Sequence, residues 1–516
     1  MLTALLAATP IALILIAMIF LKRSAAQAGL AGLVLTLLLA LFHFSFQNLP
    51  DQAPLWHGVT GSLAEAGFTA LTILWIIFGA LCLHQLQVAT NAIATLRDGI
   101  ATLSDDPRIV AILIAWFFAI FLEGAAGFGA PIALAAPFLV GFGFRPLQAV
   151  TVVLIGHCVG VSFGAVGTPL MAQVGITGFD GRAIAAVTAD FHLILGTVML
   201  VLTLLVVSRD RLTADRPFRS ILPWIAIAAP GFLVPMWLIA RFVGPELPTM
   251  GGAVIGAFLF ILALRLFHRV PDRASLEQSS DDNDDALQRP SAGEILRACS
   301  PYAIVITLIL LTRMIPALRE PLSSITWSWE LFGTFKGSFA PLYHPGTLLV
   351  LGFFLGARAQ GATRDQLLRA LKAALKMLVP VTIALVAMLA ISRLMVHAAM
   401  IEALAEAASQ TGAIWPLLAP WVGVLGSFVT GSATASNILF TDFQVATAER
   451  LSLDPLRLVG VQGFGAAVGN IICPHNIIAG CATVGLMGRE GEVLKRTLGA
   501  CALYATLGGV MALILL

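Results

Sequence analysis

The sequence predicts an all-α polytopic membrane protein, with about 12–14 transmembrane helices arranged as two inverted-topology repeats containing re-entrant hairpins and broken helices. Three observations predict this. Of 516 residues, 59% are hydrophobic and only 11% charged, with a mean hydropathy of +0.93. Apolar runs of about 20 residues, enough to cross a hydrocarbon core as helix, recur from end to end. The runs are interrupted, twice over, by clusters of Gly, Pro, Ser, Thr and Asn.

The first run, LTALLAATPIALILIAMIFL, is too long for a signal-peptide core and has no basic segment before it, so it reads as the first helix. Short cytoplasmic loops carry the excess of Lys and Arg, and this orients the rest. Lys22 and Arg23, Arg97 and Arg108, Arg209 to Arg219, Arg358 to Lys376, and Arg489 to Arg496 mark inner loops. The segment 317–345, with Trp327, Trp329 and Tyr343, reads as an outer loop with an interfacial aromatic belt. Both termini then fall outside. The polar stretch of about 270–294, with Asp281, Asp282, Asp284 and Asp285, reads as a solvated inner linker. The net charge of +2 supplies no basic stripe for nucleic acid. The six cysteines lack a C-x-x-C pair and read as small packing residues.

A repeat is visible in the interruptions. FLEGAAGFGAP from Phe121 is matched by FVTGSATASN from Phe428, with Gly124 aligned on Gly431; Pro146 to Gly160 is spaced like Pro455 to Gly469. The offset stays near 307 to 309 residues. By loop charge, the run beginning at Arg108 starts inside and the run beginning at Trp415 starts outside, which makes the repeat inverted. Three regions follow. Residues 1–210 form the first repeat, with its hairpin or broken helix at 108–180. Residues 211–298 hold connecting helices and the acidic cytoplasmic linker, and 299–516 form the second repeat, with its hairpin or broken helix at 415–486.

Gly124, Gly127 and Gly129 followed by Pro131 cannot continue a stable helix. In lipid the freed backbone groups must be buried in protein or line an aqueous cavity. The same holds for Gly164 to Pro169, Thr430 to Asn437 and Val468 to Asn476. A half-helix N-terminus offers unpaired N–H groups and a positive dipole end, so these segments read as an anion site. Gly124, Gly127, Gly129, Thr168, Ser432, Thr434, Ser436, Asn437 and Asn476 are its candidate ligands. The rival explanation for a single glycine is close helix packing. No metal-ligand spacing, nucleophile elbow or phosphate loop accompanies these segments, so no metal or cofactor is expected.

An intramembrane carboxylate is costly to keep charged, which suits it to gain and lose a proton. Glu123 is the first proton-coupling candidate, with capping of the broken backbone as its alternative role; His157 and His475, beside the second pair of breaks, are the others. Asp190 and His192 read as marking the interfacial end of a helix, and Arg393 as snorkelling from a helix end to the outer surface.

At FLEGAAGFGAP, FGAVGTP, GSATASN, GNIICPHNIIAG and ATVGLMGRE the sequence resembles the lactate permeases. The resemblance covers most of the chain outside the acidic linker. It implies proton-coupled uptake of L-lactate and related 2-hydroxy monocarboxylates, such as D-lactate and glycolate, across the inner membrane, and kinship with a broader ion-transporter superfamily. Ser436 and Asn437 resemble the serine-asparagine pairs that superfamily places around carboxylates. One departure is His475 where a glutamine is expected, with Cys473 before the proline. Sodium coupling is the nearest alternative; a passive channel or an intramembrane enzyme is further off, the latter because Glu123 stands isolated.

Overall fold

A computed structural model describes residues 2–19, 21, 23–44, 46, 54–101, 103–127, 129–213, 215–267 and 290–516. Lys22, Phe128 and the four linker aspartates lie outside the described residues. Twelve of the described helices are long and apolar enough to cross a membrane. Helices α1 (Leu2–Ile19), α2 (Ala25–Phe42), α3 (Leu55–Ala89) and α4 (Ala92–Ala101) come first. Then α5 (Pro107–Ala125), α6 (Ala130–Gly141), α7 (Pro146–Gly156), α8 (Gly164–Thr177) and α9 (Gly181–Val207) carry the first set of breaks. Connecting helices α10 (Leu222–Phe242) and α11 (Pro248–Phe267) follow.

Beyond the linker come α12 (Ala292–Met314), α13 (Pro316–Ser324), a hairpin of β1 (Trp327–Leu331) and β2 (Phe335–Phe339), α14 (Pro345–Gln360), α15 (Arg364–His397) and α16 (Met400–Ser409). The second set of breaks lies among α17 (Trp415–Thr430), α18 (Ala433–Arg450), α19 (Pro455–Gly469), α20 (Pro474–Thr483) and α21 (Glu490–Leu515). The order of elements from α5 to α9 therefore recurs from α17 to α21.

Local sequence sets the helix ends. Asp106, Asp180 and Asp454 accept backbone N–H bonds as N-caps, and Ser291 with Glu294 and Thr363 with Gln366 form capping boxes. Pro107, Pro146, Pro416, Pro455 and Pro474 occupy first-turn positions, where no N–H is needed.

The segment α5–α6 enters and leaves at one face. Arg108 donates to the Pro217 carbonyl (3.0 Å) and Ser220 (2.8 Å), Asp106 pairs with Arg216 (3.0 Å), and Arg145 donates to the Arg209 carbonyl (2.8 Å). All these partners belong to the single loop between α9 and α10, so Gly127 and Gly129 lie inside the molecule. The second hairpin closes on itself: Trp415 Nε1 donates to Gln444 Oε1 (3.1 Å), and Gln444 Nε2 to the Ala419 carbonyl (3.1 Å).

Two large apolar cores result. One unites the break-bearing helices with α9, α10, α11 and α21. The other is built on α1, α2, α3, α12, α14 and α15, and borrows Ala125, Val166, Val429 and Phe440 from the broken helices. Each core draws on both sequence halves, so the packing units cross the boundaries of the three sequence regions. The β-hairpin, hidden in the sequence within the aromatic outer loop, pairs Trp327 with Phe339 and buries Phe335 against α3 and the His397 ring.

Candidate functional site

Four chain breaks define the centre. In the first, Gly127 (φ 59°) and Gly129 (φ 80°) turn the backbone left-handed between α5 and α6. The second follows α7: a 3₁₀ stretch, Cys158–Phe163, leads to Ala165, Val166 and Gly167, all with positive φ (43°, 54° and 77°). Left-handed backbone at Ala and Val is costly and holds only where surrounding packing over-determines it. The third is Gly431 (φ 75°) and extended Ser432, between α17 and α18. The fourth is a 3₁₀ turn, Asn470–Ile472, capped by Cys473 ahead of α20.

The breaks form a closed ring. A Cβ at Gly127 would lie 3.2 Å from Ala165 Cβ, joining the first to the second. Asn437 Nδ2 donates to the Pro169 carbonyl (3.0 Å), joining the second to the helix after the third. A Cβ at Gly431 would lie 3.1 Å from His475 Cβ, and one at Gly129 would lie 3.4 Å from Asn476 Oδ1, which completes the circuit through the fourth. Val161 of the second break and Ala433 beside the third pack with Ala466 and Ala467 of α19 in a small buried cluster.

Glu123 ends α5, beyond a π-helical stretch, Ile112–Phe118, into whose Ala115 carbonyl Gly156 packs. The carboxylate is 6% exposed and rests on Gly164, where any Cβ would run into Oε1. Its Oε2 lies 4.0 Å from His157 Nε2. His157 Nδ1 donates to the Val153 carbonyl (2.6 Å), which assigns the proton of the neutral ring to Nδ1 and leaves Nε2 as an acceptor, with the Asn470 side chain also beside the ring. Two sequence-predicted proton carriers, 34 residues apart in the chain, therefore face each other across the ring's first and second breaks.

The remaining candidates divide. Ser432, Thr434 and His475 line a cavity of about 880 Å³, with Thr430, Gly431 and Pro474 beside them. Its walls include Pro380 to Met388 of α15, and its mouth holds Arg23 and Glu490, on the face that loop charge assigns to the cytoplasm. Asn437 lies just behind that floor, fully buried, with Oδ1 unpartnered. Asn476 Nδ2 donates to Asn470 Oδ1 (2.7 Å). Thr168 donates to the Ala165 carbonyl (2.5 Å), inside the second break. Ser436 turns away from the ring: its hydroxyl donates to the Gly423 carbonyl (2.8 Å) and receives Gln462 Nε2 (3.3 Å). Gly124 serves close packing, since a Cβ there would lie 2.6 Å from Met250 N.

Two expectations are corrected. His192 is not interfacial. It is fully buried, receives the Tyr504 hydroxyl proton at Nδ1 (2.9 Å) and donates from Nε2 to Ser162 (2.8 Å), which donates to the Gly463 carbonyl (3.2 Å). A carbonyl only accepts, so this direction is fixed, and the chain pins the 3₁₀ stretch of the second break. Arg393 does not snorkel: it pairs with Asp442 of α18, which also accepts from Ser392 (3.0 Å). Asp442 was legible as a lone acid in the apolar run NILFTDF, a signal the glycine pattern overshadowed.

Four helix breaks packed together, two of them lining a cavity, within a bundle carrying twelve candidate spans, define a polytopic membrane transporter. A family model for L-lactate permease matches residues 3–516, and the chain belongs to the L-lactate permease family. It is 28% identical to the glycolate permease GlcA of Escherichia coli K12, over 99% of this chain and 95% of that one. It is 28% identical to the L-lactate permease of Bacillus subtilis 168 (96% and 93% covered) and 27% identical to that of Escherichia coli K12 (99% and 95%). The fold resembles two solved structures. One is MtrF of Neisseria gonorrhoeae, of a class described as antimetabolite efflux pumps, with TM-score 0.52, 15% identity and 95% of each chain covered. The other is the YdaH transporter of Alcanivorax borkumensis, described as having an unusual topology, with TM-score 0.51, 14% identity and 95% and 98% covered. The chain is a permease, not an enzyme.

Proposed function

We propose that this permease carries small 2-hydroxy monocarboxylates, L-lactate with D-lactate and glycolate, across the inner membrane together with a proton, and that its two repeats lie in opposite orientations with both termini outside. The observation that carries the reading is the Glu123–His157 pair, 4.0 Å apart, on a ring of four breaks whose third and fourth members line the cavity of about 880 Å³. The first turns of α18 and α20 present positive dipole ends to that cavity and suit a carboxylate. Asn437 must point its NH₂ at the Pro169 carbonyl, so its open Oδ1 can only accept. That favours the hydroxyl of a 2-hydroxy acid over a second anionic group.

A monoanion crossing with one proton moves no net charge, whereas an uncompensated charge costs about 2.3 kcal/mol per 100 mV. A proton carried by Glu123, with His157 beside it, supplies that balance, and no further cofactor is needed. The test is uptake of labelled L-lactate into proteoliposomes under an imposed proton or sodium gradient. Proton-driven accumulation is expected, and Glu123→Gln is expected to abolish it while substrate exchange persists. Accumulation driven by sodium alone, or an unaltered variant, would overturn the proton role.

A further inference from the structure

At the face opposite the deep cavity lies a second one, of about 450 Å³, within the size range of small-molecule sites. Its walls come from α3, α8, the start of α9 and the loop before it, the end of α10 and the loop to α11, the end of α12, α13, and the end of β2 with the segment after it. It holds three guanidinium groups, Arg182, Arg313 and Arg319, against two carboxylates, Asp180 and Glu246. Asp180 and Arg182 are half-exposed neighbours 3.5 Å apart, whereas Arg313 and Glu246 are buried, at 7% and 4% side-chain exposure.

The buried pair is incomplete. Glu246 Oε1 receives both Arg313 Nη2 (2.7 Å) and Nε (3.2 Å), while Oε2 is buried with no partner. A guanidinium fork normally engages both carboxylate oxygens. Arg313 is otherwise well held, with Nη1 on the Tyr343 carbonyl (3.1 Å) and Cζ 3.7 Å from the centroid of the Tyr343 ring. The fork is rigid and the carboxylate on it is poorly satisfied.

Glu246 also belongs to the partition between this cavity and the ring of breaks. Pro245 and Glu246 press their backbone on Gly167 of the second break. Thr249 donates to the Gly160 carbonyl (2.6 Å), and Met250 lies on Gly124. Whatever displaces Glu246 from Arg313 unlatches this partition from α12.

We propose that the outer cavity is a second monocarboxylate site, in which Arg313 exchanges the Glu246 carboxylate for that of the incoming substrate, with Arg182 and Arg319 drawing the anion in. The proposal rests on the transport function above. A free monocarboxylate can turn both oxygens to the fork, which Glu246, fixed by its backbone on Gly167, does not do. Glu246 is thus the placeholder that closes the site when no substrate is there.

The test compares initial rates of L-lactate transport in right-side-out and inside-out vesicles. Arg313→Lys keeps the charge beside Glu246 and removes the fork, and it is expected to raise the half-saturating concentration about tenfold from the outer face only, the worth of a charge-assisted bond. Glu246→Gln removes the competing carboxylate and is expected to lower that concentration from the same face. Equal shifts on both faces, or changes only in thermal stability of the purified protein, would make the pair a structural staple and overturn the proposal. Absence of L-lactate transport by the parent protein would instead overturn the function on which it rests.

Discussion

At the scale of single residues, what sequence cannot supply is partnership. Glu123 and His157 both stand out as titratable groups in apolar runs, yet nothing in their spacing reveals that the first hairpin folds one onto the other. Arg393 and Asp442 repeat the lesson at a separation of 49 residues. Ser436 illustrates the reverse: it sits in a polar motif, but its hydroxyl is committed to the Gly423 carbonyl. Gly164 offers a clean probe of the Glu123 position. Its φ of −64° suits any residue, and the obstacle to a Cβ is the flexible end of Glu123. Gly164→Ala is therefore expected to reach wild-type levels in the membrane while displacing the carboxylate. The ratio of protons to substrate, measured by pH-dye flux in proteoliposomes, is expected to fall. An unchanged ratio would detach coupling from the position of that side chain.

At the scale of elements, the breaks were legible because Gly and Pro act through the backbone itself, without needing a partner. The π-helical stretch at Ile112–Phe118 was not legible, because ILIAWFF contains neither residue and its cause is tertiary. The β-hairpin escaped for a similar reason: Trp327, Trp329 and Tyr343 carry the composition of a membrane interface, and that signal masks a short strand alternation. Packing between α17 and α19 depends on glycine differently. A Cβ at Gly423 would lie 2.6 Å from Ala466 N, and one at Gly465 would strike the Pro420 carbonyl. Neither obstacle is a side-chain end that can swing away. Gly465→Ala is expected to destabilise the fold by about 1–3 kcal/mol through overpacking. It should appear as a lowered melting temperature in detergent, whereas Gly499→Ala, where the added methyl meets nothing within 4 Å, should leave that temperature unchanged.

At the scale of the whole molecule, hydropathy carried the helical, many-span architecture, because a bilayer admits few ways to satisfy a backbone. The two large apolar cores were beyond the reach of hydropathy, since lipid-facing and protein-facing surfaces are equally apolar in sequence. That each core takes helices from both halves bears on how the protein is made. Helices α1 to α11 leave the ribosome with part of each core missing, and α3 must wait for α15, its longest packing partner, more than 270 residues later. Until then the nascent half stays in the bilayer as a set of loosely held helices, open to chaperones and membrane proteases. Cutting the gene within the polar linker of about 270–294 separates the halves without touching either core. Each half expressed alone is expected to be degraded, and the two expressed together should accumulate and transport. Biogenesis, rather than the chemistry of the ring, is then where damage to a remote helix would first be felt.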